Sequence, residues 1–284
     1  MATNVRAIKD RIGNIEDIRQ ITRAMNPIAM TKVTRMKRRL EIVKPYIASL
    51  EEFVAILLGQ MGEGAREHPL TAGNESSYVG VMVLNADRGL CGRYKGELNR
   101  KGLDLVETVE GEARIIAGGE KARTYFARQR VEIIKHYSHI YENPTMTVAK
   151  DMSFDLASLF LSGEVGRVVV VYMDFVSDLV QRIAAEEILP MKVEAKTVET
   201  LVEPSRQTML EYVLHLYLQA RLFSILVKTK TSEHAIRRQA MKSATDNADD
   251  LLRVLTRSYN KERQQTITRE IADIIGGAEA LHEA

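Results

Sequence analysis

Apolar residues recur every three or four positions over both ends of this chain, and every second position or continuously in its middle. Val5, Ile8, Ile12, Ile15 and Ile18 open the first pattern, followed by Met25 and Val33. From Met36 the spacing becomes a strict four-three alternation through Leu40, Val43, Ile47, Leu50, Val54 and Leu57. That is a heptad seam, the pattern of helices that wrap around a partner. It ends at Gly59, Gly62 and Gly64, with Pro69 and Gly73 beyond, so residues 59–75 read as a linker. The other end carries a longer signal: Ser205 to Ile275 is 71 residues without glycine or proline. As one helix it would extend roughly 100 Å, far too long to bury itself in a single domain. Its stripe is bulky at Leu210, Val213, Tyr217, Leu222, Ile225 and Leu226. It turns mostly small over Ile236, Ala240, Ser243, Ala244, Asn247 and Ala248, then resumes at Leu251, Leu252, Leu255 and Tyr259. Each long helix is the natural partner of the other. The pattern predicts an antiparallel coiled coil of residues 1–58 with 205–284, thin where the small residues lie, the second helix overshooting the first.

Residues 76–200 change character. Tyr78–Leu84, Arg114–Ala117 and Val131–Ile134 are short β-rich runs, and Arg167–Val176 is a nearly continuous apolar strand of the kind covered on both faces. Helical stretches around 119–129 and 146–162 fall between them, and Ile183–Val193 predicts a last strand. The fold class expected is α/β with long helices: the coiled coil plus a small Rossmann-like α/β domain with a largely parallel sheet. Glu194–Pro204 hands the chain to the long helix, with Ser205 as its N-cap. Two prolines interrupt the first helix. Pro27 predicts a local bend or broken turn near Thr22–Pro27, and Pro45 a milder kink near Glu41–Pro45.

Composition narrows the function. The chain has 284 residues, no tryptophan and one cysteine, Cys91, which excludes an internal disulfide framework and fits a reducing compartment. No apolar run suggests a membrane span. The N-terminus lacks the core of a secretory signal, and Asp10, Glu16 and Asp17 argue against a transit peptide. Net charge is +2, but residues 1–45 hold 11 Lys and Arg against 4 Asp and Glu, and residues 46–204 hold 17 against 24. Either the basic first helix is simply a solvated face, or it meets acidic partners. Nucleic acid fits poorly, because charge is near neutral overall and no aromatics interleave the basic residues.

An α/β domain invites an enzyme reading, and the motifs do not support one. There is no G-x-x-x-x-G-K-[ST] loop and no G-x-G-x-x-G after a strand. Gly118–Gly119 reads as a tight turn. His136 and His139 lack the cysteines or carboxylate pair that would make a metal site, so no metal and no cofactor are expected. The remaining lure is Asn85-Ala86-Asp87-Arg88-Gly89-Leu90-Cys91-Gly92, directly after a strand, where Cys91 could act as a nucleophile beside Arg88. The plainer reading pairs Asp87 with Arg88 and packs Cys91 inside.

The run D-R-G-L-C-G resembles the central signature of the gamma subunit of F-type ATP synthases. Ile8-Lys9-Asp10-Arg11-Ile12 through Met25, and Thr31-Lys32-Val33 through Lys37, resemble that family's first helix. Met241 to Ala248, Tyr259 to Gln264, Ile267 to Ile271 and Ile274 to Ala278 resemble its last. The resemblance implies a rotor shaft that performs no catalysis. Its partners would be three alpha and three beta subunits, an epsilon subunit and the membrane rotor ring. It would be peripheral, without membrane insertion, on the cytoplasmic face of a bacterial plasma membrane. The resemblance also implies site residues. Met25, Arg35, Lys37, Arg38, Arg39 and Cys91 would face beta subunits, the basic ones against an acidic loop. Arg263, Gln264 and Thr268 would form a polar catch on a beta subunit. Glu203 would face the rotor ring, and Ile267, Ile271, Ile274 and Ile275 would sit in an apolar sleeve. Arg93 stands where the family usually has glycine, and Val202 where it has an aromatic. An unrelated coiled-coil scaffold bearing an α/β module is the alternative, and a hydrolase or transferase using Cys91 a third.

Overall fold

The structure is a computed structural model that describes residues 2–62, 68–198 and 200–282. Part of the expected linker (63–67, with Gly64), Glu199 of the hand-over segment and residues 283–284 lie outside the described residues. The chain divides into two compact units: residues 1–28 with 238–284, and residues 29–237. Two long helices contribute to both, α1 (Ala2–Met61) and α6 (Arg206–His282, 77 residues). Ser205 caps α6 as expected, its Oγ accepting from the Thr208 N–H at 3.2 Å.

In the larger unit, a five-stranded sheet has the order β3-β2-β1-β4-β5. Its strands are β1 (Tyr78–Leu84), β2 (Glu112–Gly118), β3 (Ile133–Tyr137), β4 (Arg167–Phe175) and β5 (Gln181–Leu189). The first four are parallel; β5 returns antiparallel to β4 across a short loop, pairing Phe175 with Gln181. Side chains alternate across the pleat, so each strand feeds two cores. Val79, Val81 and Val83 of β1, with Val169, Val171 and Met173 of β4, pack under α3 (Tyr94–Thr108) and α4 (Glu120–Gln129). Met82 and Leu84, with Val168, Val170 and Tyr172, pack on α5 (Met146–Leu161) and on the α1 and α6 segments of this unit. The Met36–Leu57 seam enters this second core. Met36, Val43, Val54 and Leu57 are buried there beside Leu210, Leu214, Leu218 and Leu222, which are fully buried. A short helix, α2 (Pro69–Ala72), closes one side. An 18-residue window of α6 is apolar enough to cross a membrane by length and composition, but 61% of it is buried inside the protein, where core packing accounts for its hydropathy.

In the smaller unit the two helices have only each other among the described residues. The buried positions are Thr22 on α1 and Met241, Ala248 and Leu252 on α6. Thr245 Oγ1 donates to Thr22 Oγ1 at 2.9 Å, and Arg19 pairs with Asp249 at 3.2 Å. From residue 5 to 28 the positions of α1 that are not exposed are 5, 8, 12, 15, 19, 22, 25 and 26. The seam therefore runs through Val5, Ile8, Ile12 and Ile15 and on through Arg19, Thr22, Met25 and Asn26, while Ile18 and Ile21 lie outside it, 48% and 57% exposed.

The structure narrows one expectation, adds an element and corrects a third reading. Helix α1 runs unbroken through Pro27 and Pro45, so of the bend or broken turn expected near Thr22–Pro27 the broken turn does not occur. Both prolines are exposed, as are Arg23 and Glu41, whose carbonyls lose the missing donors and can bond water instead. Helix α3 had no sequence counterpart. Gly102 takes its inward position because an added Cβ would come within 2.6 Å of Val83 and 2.8 Å of Phe126, and that glycine hides the apolar period. Asp87 does not pair with Arg88; its Oδ1 accepts from the N–H groups of Glu120 at 3.0 Å and His139 at 3.1 Å.

Candidate partner-contact surfaces

The Asp87–Gly92 turn is built to hold its shape. Leu90 and Gly92 have φ of 61° and 51° in the left-handed region. Asp87 caps α4, whose own N-cap, Gly119, has no side chain to do so. Asn85 ties the turn to α3, donating to the Lys95 carbonyl at 3.1 Å and to Asn99 Oδ1 at 2.7 Å. The buried Tyr141 hydroxyl donates to the Asn85 carbonyl. Cys91 is only 1% exposed, and burial pushes its thiol pKa up, with Glu233 adding to the shift. A thiol that stays protonated is a poor nucleophile.

The expected basic patch divides. Arg35 and Arg38 are exposed. Lys37 is engaged within the unit, 3.4 Å from Asp178 and above the Phe175 ring at 5.7 Å. Arg39 donates to Asn143 Oδ1 at 3.0 Å and to the Pro144 carbonyl at 2.7 Å. Met25, in the smaller unit, is half-buried.

Farther along that unit, Arg263, Gln264 and Thr268 are exposed, and the Thr268 hydroxyl is turned back onto the Gln264 carbonyl at 2.9 Å. Ile267, Ile271, Ile274 and Ile275 are 42%, 52%, 72% and 55% exposed. Four large apolar side chains are thus bared on one terminal helix, an apolar exposure of the kind found at interaction sites. Val5, Arg6, Lys9, Arg263, Thr266 and Ile267 line a shallow groove there, mostly apolar with three cations at its rim.

Glu203 is exposed beside Leu201, which is 88% exposed. The segment leading there is strapped along α1. Lys196 N–H donates to the Ala55 carbonyl at 2.8 Å, and Gln60 Nε2 reaches the carbonyls of Val198 at 2.8 Å and Thr200 at 3.0 Å. Gly59 permits this approach, since an added Cβ would lie 2.1 Å from the Lys196 carbonyl oxygen.

The sequence reading missed a cluster of buried charge on α6. Lys230 is fully buried, 2.8 Å from Glu233 and 3.5 Å from Glu142, and sits 4.6 Å from the centre of the Tyr141 ring. Arg237 pairs with Glu233 at 2.6 Å and contacts His234 Nδ1 at 3.1 Å. Lys32 of α1 joins through Glu142 at 3.2 Å. Burial alone would raise the Glu233 pKa; Lys230 and Arg237 outweigh it and hold the carboxyl at about 2. His234 is held at about 4, first by burial and then by Arg237, Lys32 and Lys230 against the opposing pull of Glu233. The available signal was the run Thr229–Glu233, which interrupts the apolar stripe with five polar residues, all buried. No group of three or more candidate metal-ligating side chains occurs among the described residues.

Comparison with known proteins covers the whole chain. A family model described as ATP synthase matches residues 4–281. The ATP synthase gamma chain of Symbiobacterium thermophilum is 33% identical over 290 residues, 99% of this chain and 99% of that protein. The ATP synthase gamma chain of Mycolicibacterium vanbaalenii is 34% identical over 311 residues, all of both chains. Among solved structures, a rotor chain of the Euglena gracilis mitochondrial ATP synthase aligns with TM-score 0.66 at 15% identity, covering 94% of this chain and 100% of that one. A chain of the Tetrahymena thermophila central stalk and c-ring aligns with TM-score 0.63 at 19% identity, covering 79% of this chain and 99% of that one. These two likenesses speak to the fold.

Proposed function

The chain belongs to the ATP synthase family as a gamma chain, and from that premise we propose how its parts serve a rotor. It is the central shaft of an F-type ATP synthase. It couples ion-driven rotation of the membrane ring to conformational change at nucleotide sites carried by other subunits, and catalyses nothing itself. The observation that carries this reading is that the likeness spans residues 4–281, both long helices as well as the α/β layer. An unrelated scaffold with a borrowed α/β module would not match along its whole length.

A shaft acts by shifting its partners' conformational populations, so its contacts must differ between their states. We assign residues 1–58 and 205–284 to the shaft, 76–200 to a foot and 59–75 to the link between them. Exposed Arg35 and Arg38, with Lys37 and Arg39, meet an acidic loop of the beta subunits, and Met25 is a further beta-subunit contact. Arg263, Gln264 and Thr268 form a polar catch on a beta subunit, and the bared isoleucines at 267, 271, 274 and 275 turn in an apolar sleeve. Glu203 faces the rotor ring. The complex holds one copy of this chain with three alpha and three beta subunits and an epsilon subunit, on the cytoplasmic face of a bacterial plasma membrane. Co-purification tests this. A complex of that stoichiometry with ATPase activity is the expected result, and a chain recovered alone or hydrolysing a substrate unaided would overturn it.

A further inference from the structure

In open α/β sheets, ligands bind outside the carboxyl ends of the strands, where the strand order reverses. Here the chain leaves β1 toward β2 and β3 on one side and returns to β4 on the other, so the reversal lies between β1 and β4. That crevice is filled from within the chain. Thr229 of α6 accepts at Oγ1 from the Met173 N–H of β4 at 3.2 Å and shares a 2.8 Å hydrogen bond with the Tyr94 hydroxyl of α3. Arg237 reaches the Gly89 carbonyl of the Asp87–Gly92 turn at 3.4 Å, and Ile236 packs in the core under α3. Lys230 and Glu233 lie between these anchors, each at most 1% exposed.

We propose that the Thr229–Arg237 block of α6, seated in this crevice as an intrachain ligand, is the torsional key that locks the long helix to the α/β layer. The inference rests on the rotor reading. Apolar contacts are non-directional, and packed helices can ratchet past one another by a turn. Over Leu210–Leu226 the packed stripe is apolar, so apart from Arg221, paired with Glu186, and Gln219, which donates to the Met146 carbonyl, a one-turn slip there exchanges one apolar contact for another. The block changes that. A slip or rotation of α6 would take the Thr229 hydroxyl from the buried Met173 N–H and Tyr94 hydroxyl and Lys230 from Glu142, while the Lys230–Glu233 and Glu233–Arg237 pairs lie within α6 and travel with it; stranding the buried groups of the layer is costly. Buried ion pairs are often no more stabilising than apolar packing of equal volume, and their best attested use is to specify register. A shaft that transmits torque through one helix needs that register held.

The test uses the assembled complex, with the alpha and beta subunits held on a surface and a bead attached through Phe154→Cys, a position 70% exposed. The angular spread of the stalled bead reports torsional compliance. The unaltered chain is measured first: failure to assemble and rotate would overturn the rotor reading itself. In the triple variant Lys230→Met, Glu233→Leu, Arg237→Met, apolar groups replace the ionic ones, so the chain should keep or raise its melting temperature while the spread grows at least about twofold. Leu222→Ala serves as a packing control and should lower the melting temperature without widening the spread. A triple variant as stiff as the unaltered chain would overturn the key, as would Leu222→Ala widening the spread equally. Thr229→Val, which keeps shape and removes the hydroxyl bonded to Met173 and Tyr94, provides the second reading. It should fall between the two, and a spread equal to that of the unaltered chain counts against the key.

Discussion

The same two helices solve different problems in the two units. In the smaller unit, α1 and α6 pack on each other through Thr22, Met241, Ala248 and Leu252 and an ion pair whose partners are 39% and 45% exposed. In the larger unit they join a sheet and α5 in a core of fully buried leucines, and α6 also buries Lys230, Glu233 and His234. One pair of helices can thus be held by a sparse, partly exposed seam or by dry packing with a few buried charges. The lesson is that helix length and heptad spacing do not say how strongly a coil is held; the layer behind it does.

The largest expected effect breaks the buried charge. Glu233→Leu leaves Arg237 without its carboxylate and Lys230 with only Glu142, and should cost about 3–5 kcal/mol, read as a lower urea midpoint. Next, Leu222→Ala in the larger unit should cost about 2–5 kcal/mol by transfer and cavity terms, and Leu252→Ala, at the thin coil's solvent-lapped seam, clearly less. If the two leucines cost the same, the contrast between units is wrong.

A third prediction concerns pH. The His234 pKa is lowered to about 4 from an ordinary 6.5, so in that window the unfolded chain binds a proton that the folded chain refuses. Stability is full above about pH 6.5 and falls as pH drops toward 4, by on the order of 2–3 kcal/mol. The ring faces Glu233, Arg237, Lys32 and Lys230, and His234→Gln should flatten the loss between those limits in a pH series of melting curves. The smallest effect sharpens the other side of the comparison: Asp249→Asn should cost under about 1 kcal/mol and less at high salt, because its pair with Arg19 is half in water.

The candidate surfaces were only partly legible. Arg35, Arg38, Arg263, Gln264, Glu203 and the four isoleucines are exposed where a partner could reach them. Lys37 and Arg39 look the same in sequence, but their partners, Asp178, Asn143 and Pro144, are more than a hundred residues away along the chain. Only the folded unit brings those groups together.

The sequence by itself determined the long helices, because 71 residues without a breaker have no better way to satisfy their backbone than to keep turning. It determined β1 and β4 as strands covered on both faces, because their apolar runs are continuous. Tertiary structure alone decided that the seam of the smaller unit, apolar at Val5, Ile8, Ile12 and Ile15, continues through Arg19 and Thr22, because Asp249 and Thr245 of the other helix supply the partners those polar side chains need. It alone decided that α3 forms around an inward glycine, where Val83 and Phe126 leave no room for a Cβ. It also alone decided that Thr229–Arg237 is an interior, because a charge can be buried only where its partners already stand.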